Sequence, residues 1–131
     1  MEEHNHSFLP GQVWHYENRA GEDSSTLTIL KFDQVDNNNR IIHIRIDGIK
    51  LFNPAAPGGY SEAIEHLPFS EQVIAGSVTR LAGTVNELPP FEAGYNQWKQ
   101  AWDSGRAGYW TIEIKEAIEA MDAVMRQQND R

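Results

Sequence analysis

The sequence predicts an α+β domain: an antiparallel β-meander of four to five strands with two to three helices packed on one side. Two observations carry this reading. From residue 12 to residue 52, apolar and polar residues alternate with a period of two, as they do along strands that bury one face. From residue 70 onward most apolar residues recur at three- and four-residue spacings, the mark of amphipathic helices. Strands first and helices later, without regular alternation, is the α+β order.

The elements follow one another clearly. Residues 1–11 are polar and read as a mobile N-terminal tail, leaving 12–131 as a single domain. "QVWHYENR" alternates, with Trp14 and Tyr16 on one face and Val13 and His15 on the other. "AGEDSS" supplies turn residues. "TLTILKFDQV" is β-branched and aromatic, placing Thr28, Leu30 and Phe32 on one face and Leu27 and Ile29 on the other. After the turn "DNNN", the stretch "RIIHIRIDGIK" sets Ile42, Ile44 and Ile46 against His43, Arg45 and Asp47. Asp47-Gly48 separates two β-rich runs by two residues, which favours a hairpin turn there. The alternative is one long strand with a bulge at Gly48.

"NPAAPGGY" is a loop, and "SEAIEHLPF" is ambiguous because Pro68 disfavours helix at Leu67. Ser70 is placed to cap a helix over "EQVIAGSVTRLA" that stops at Gly83. In "FEAGYNQWKQAWDSG", Phe91, Tyr95, Trp98 and Trp102 fall at helical spacing, and Gly105 ends the helix. An aromatic stripe of this kind is expected to be core. "GYWTIEI" reads as a strand and "KEAIEAMDAVM" as a last amphipathic helix through Ala117, Ile118, Met121 and Met125.

At this point the residues show a likeness. The segments "PGQVWHYENRAGEDSSTLTILKFD", "HIRIDGIKLFNPAAPGG", "EHLPFSEQVI", "SVTRL" and "YNQWKQAWDSGRAGYWTI" resemble a group of small uncharacterised bacterial proteins, from Pro10 to Met125. The resemblance implies a self-standing bacterial domain and brings no activity or catalytic residues with it.

Composition narrows the function classes. The chain has no cysteine, which excludes disulfides and cysteine-ligated metals. The N-terminus lacks the basic and apolar regions of a secretory signal, and no apolar run suits a membrane helix, so a cytoplasmic location is expected. The net charge is −8, and residues 54–131 hold eleven acids against six bases, so nucleic acid is not an expected partner. His4, His6, His15, His43 and His66 show no metal-ligand spacing, and neither a metal nor a cofactor is expected. No nucleophile elbow or glycine-rich phosphate loop is present.

Two functions remain. The leading expectation is a non-enzymatic, cytoplasmic protein-binding domain of the immunity or antitoxin type, which blocks a basic partner through Glu113, Glu116 and Glu119. The rival is a small-molecule-binding protein or hydrolase, with a site around His43, Arg45 and the Glu62–His66 loop, in which Glu62, Glu65 and His66 meet the strand. The bland alternative for His43 and Arg45 is a solvated sheet face.

Overall fold

The computed structural model describes residues 8–129. The chain forms β1 (Gln12–Tyr16), β2 (Thr26–Asp36), β3 (Asn39–Phe52), β4 (Tyr60–Ser70), α1 (Glu71–Ser77), β5 (Val78–Thr84), α2 (Glu92–Asp103) and α3 (Ile114–Asn129). The strands make one antiparallel sheet in the order β4-β3-β2-β1-β5. This is the expected α+β class, with a meander through the first four strands; the helices are divided between the faces, α1 and α3 on the isoleucine core and α2 over the opposite face at His43. Among the described residues, no helix is long and apolar enough to cross a membrane.

One sheet face carries the core in cross-strand rows. Trp14, Leu27, Ile46 and Ile64 form one row, Ile29, Ile44 and Leu67 the next, and Phe32, Ile42 and Phe69 the third. Ile74 of α1 and Ile114, Ala117 and Ile118 of α3 pack on these rows. Each fully buried isoleucine contributes about 1.5–3 kcal/mol of transfer free energy. Ser70 caps α1 as expected, its hydroxyl accepting from the Val73 N–H at 3.2 Å. The helix is short because Val78 and Thr79 are β-branched and the free edge of β1 is at hand, so the chain leaves the helix at Ser77 to form β5. The long helix to Gly83 is thus corrected. A seven-residue helix spans only about 10 Å, whereas opposite edges of a flat five-stranded sheet lie about 19 Å apart. The sheet must therefore curl around Ile74 and Ile118.

Four other expectations change. Asp47-Gly48 is not a hairpin: β3 runs on through it to Phe52, with a bulge against β4 between Asp47 and Leu51. Gly48 takes φ +81°, and the Ser25 hydroxyl donates to the Asp47 carbonyl at 2.7 Å. Beyond Asp47, β3 has no β2 partner. There the Lys50 N–H donates to the buried Glu22 carboxylate (2.9 Å) and the Phe52 N–H to Asp122 (2.7 Å). Arg19 locks Glu22 from the far side with contacts at 3.0 and 2.6 Å. The ambiguous stretch 60–70 is a strand. "GYWTIEI" is not a strand: only Trp110 bridges the sheet edge, its N–H donating to the Pro68 carbonyl (2.9 Å) and its carbonyl accepting from the Ser70 N–H (3.0 Å). Ile114 instead opens α3 in the core.

Residues 8–11, expected in the N-terminal tail, are held against the sheet. Phe8 is buried edge-on against Trp14, and the Gly11 N–H donates to the Ile29 carbonyl at 2.8 Å. The remainder of that segment, with His4 and His6, lies outside the described residues.

Candidate functional site

The polar side of β3 is not a solvated sheet face. His43 is fully buried, and α2 lies over it. Strand alternation sends His43 away from Ile42 and Ile44, and two bulges bring it partners. In β2 one extra residue, Leu30, intervenes between the pairs Ile29–Ile44 and Lys31–His43. A one-residue slip exchanges the faces of every later side chain. Phe32 thereby joins the core, and Asp33 turns to the His43 side, against the expected alternation of Leu30 and Phe32. In β4 an extra residue separates the pairs Leu67–Ile44 and Ile64–Ile46, and His66 turns to the same side.

Each bulge serves one nitrogen of His43. Its Nε2 lies 2.8 Å from Asp33 Oδ2, and its Nδ1 lies 2.8 Å from His66 Nε2. The two imidazole rings are nearly parallel, at 16°, with centroids 4.9 Å apart. From α2, the Tyr95 hydroxyl donates to both Asp33 oxygens, at 2.9 and 3.2 Å. Trp98, one turn on, stands edge-on to His43 at 4.7 Å and stacks on Trp102 at 5.3 Å. Gly94 permits this approach, since a Cβ there would sit 3.3 Å from His66 Cβ. Trp98 and Trp102 are half-buried and stand apart from the isoleucine core, so the stripe is a cover for the histidine pair. Trp14 and Tyr16 belong instead to that core, while Tyr109 meets Trp102.

Burial pushes the pKa of His43 down, an effect that Asp33 partly offsets. His66 is depressed to about 4 by burial and by the adjacent His43. Burial and the Asp33 bond raise Tyr95 to about 12. At neutral pH both imidazoles and the phenol are therefore uncharged. The polarity of the chain then follows from acceptor chemistry alone. A carboxylate only accepts, so His43 donates from Nε2 and presents a lone pair at Nδ1. His66 must donate to it from Nε2, which leaves the lone pair of His66 at Nδ1. That atom has no hydrogen-bond partner among the described residues.

His66 lines a cleft of about 250 Å³ with Glu65, Pro90, Phe91, Glu92, Ala93 and Gly94. Gly94 is beside the Cβ–Nδ1 edge of the ring. Of the residues singled out in the sequence, His43, His66 and Glu65 thus share one region. Arg45 and Glu62 do not join them. Arg45 pairs with Asp47 at 3.0 Å, and both Arg45 and Glu62 line a separate open cleft of about 710 Å³ beside the Gly48 bulge. The Glu62–His66 segment is part of β4 and not a loop. His43 uses both ring nitrogens on protein partners, which leaves it no lone pair for a metal.

The three acids expected to meet a protein partner are exposed on and just before α3. Two have partners within the chain: Glu119 bridges to Arg19 at 2.9 Å, and Glu113 stands 4.0 Å from Lys115. Sequence reasoning missed Asp33, Tyr95 and Gly94. Comparison of the chain with protein-family models, curated proteins and solved structures finds no match.

Proposed function

We propose that the protein binds a small molecule in the cleft beside His66, and that it acts as a binding protein more than as a hydrolase. The observation that supports this is the hydrogen-bonded chain Tyr95–Asp33–His43–His66, which ends on a ring that lines that cleft and whose Nδ1 has no partner among the described residues. Four elements converge to fix the tautomer of one ring, a degree of preorganisation suited to recognition. The depressed pKa of His66, about 4, favours the binding reading over general-base catalysis. A general base works best with a pKa near the working pH. A ring this weakly basic takes a proton poorly at pH 7, but it is almost wholly neutral and available as an acceptor.

The protein-docking reading has less support, because two of its three acids already carry intramolecular partners. A fragment screen followed by ¹⁵N spectra of histidine-labelled protein separates the two readings. Bound fragments should shift the pyridine-type resonance of His66 Nδ1, and His66→Phe should abolish their binding. Fragments that bind while leaving His66 unmoved would overturn the proposal.

A further inference from the structure

Resting on that reading, we infer that the ligand is a small organic cation, an amine or amidine with a compact apolar body. The chemistry of the cleft is one-sided. Its polar side chains are His66, whose tautomer presents a lone pair, and the carboxylates Glu65 and Glu92. All of them accept. Glu92 uses one oxygen at 3.3 Å on the Phe91 N–H and keeps the other for a ligand. Among the described residues, no Lys or Arg lines the cleft. Lys31, on the same sheet face, is held over the Tyr95 ring, 5.2 Å from its centroid, and takes no part in the lining.

The remaining walls are Pro90, Phe91, Ala93 and Gly94, which suit an apolar body. The Phe91 ring adds an aromatic face able to attract a cation. An anion would meet two carboxylates and a lone pair, and a neutral acceptor would find no donor side chain. A donor-only cation satisfies every group. The net charge of −8 would steer such a ligand inward as well.

Three probes of one shape test this on the full chain: benzylammonium, benzyl alcohol and benzoate, with affinities read from His66 shifts at pH 7.5. Benzylammonium should bind about tenfold tighter than benzyl alcohol, since each partly exposed carboxylate contributes about three- to fivefold. Benzoate should not bind. In the Glu65→Gln, Glu92→Gln double variant, the preference for ammonium over alcohol should fall below about threefold. Equal binding of ammonium and alcohol, or a preference for benzoate, would overturn the cation inference and leave the cleft standing as a binding site. If all three probes leave His66 unmoved, the site reading falls and takes this inference with it.

Discussion

Acid should destabilise this fold well above the pH at which its carboxylates titrate, and the His43–His66 pair should be the cause. Both rings have folded-state pKa values below their ordinary one of 6.5, with His66 near 4. The unfolded chain therefore binds protons that the folded chain refuses. The stability from keeping the rings neutral is complete above pH 6.5 and drains away as pH falls toward the folded-state value. For His66 alone, a displacement from 6.5 to about 4 amounts to ~2 kcal/mol lost between pH 7.5 and 5.0. The ring is partly open to the cleft, which reduces this to ~1–2 kcal/mol. His43 adds to it in the same direction. With a urea m-value of about 2 kcal/mol/M, the midpoint should drop by about 0.5–1 M over that interval. Glu71 and Asp122 have lowered pKa values and support the fold above the ordinary carboxylate range, so their loss belongs to lower pH. Urea titrations at half-unit steps, on the natural chain and on His66→Gln, give the measurement. The variant should lose at least half of the pH slope. A midpoint of the natural chain that stays level from pH 7.5 to 5.0 would refute the claim that these rings are held neutral.

Removing the Tyr95 hydroxyl with Tyr95→Phe should cost ~1–2 kcal/mol in urea, since a hydrogen bond to a carboxylate is lost while the ring stays. Gly48→Ala should cost ~1–3 kcal/mol, because φ is +81° and the new Cβ would stand 3.1 Å from Ser25 Cα; unchanged thermal stability would contradict the bulge geometry. Glu22→Ala removes the acceptor of the Lys50 N–H and the bidentate partner of Arg19, which keeps Glu119, and a loss of ~3 kcal/mol is expected in the same assay. Ile44→Ala should cost ~2–5 kcal/mol and Trp102→Ala less than ~2 kcal/mol, although the Trp is the larger residue, because only the first is fully enclosed.

Local pattern carried the sequence reading far, and its failures have a common cause. The strand alternation of Leu27, Ile29, Ile42, Ile44 and Ile46 was legible because one face of each strand meets the same core. The cap at Ser70 was legible because it depends on neighbours within three residues. Asp33 was not. Its position beside His43 depends on the extra residue at Leu30, and nothing in "TILKFD" distinguishes a bulged strand from a regular one. His66 came into view only as part of an ambiguous segment, since its partner is 23 residues away and its orientation rests on a second bulge. The aromatic stripe of α2 had the correct spacing but the wrong destination. Helical periodicity says that Tyr95, Trp98 and Trp102 share a face, and is silent on which surface they cover. The Asp47-Gly48 signal misled for the same reason. A glycine with positive φ serves a bulge as well as a turn, and the choice was made by Ser25, Glu22 and Asp122, which satisfy β3 beyond the end of β2.

That last feature bears on how the sheet would meet a strand from another copy of the chain. A fourteen-residue strand that outruns its neighbour would present a row of free amides, and such a row is a template for adding a strand from another molecule. Here the amides of Lys50 and Phe52 are already taken, and by carboxylates. An incoming backbone would have to displace charge-assisted bonds, and its own carbonyls would face negative charge. At the outer edge of β4 the same protection comes from one residue, Trp110, bonded to both Pro68 and Ser70. Glu22, Asp122 and Trp110 thus oppose strand addition at these two places, and substitutions of them that spare the native packing should promote aggregation.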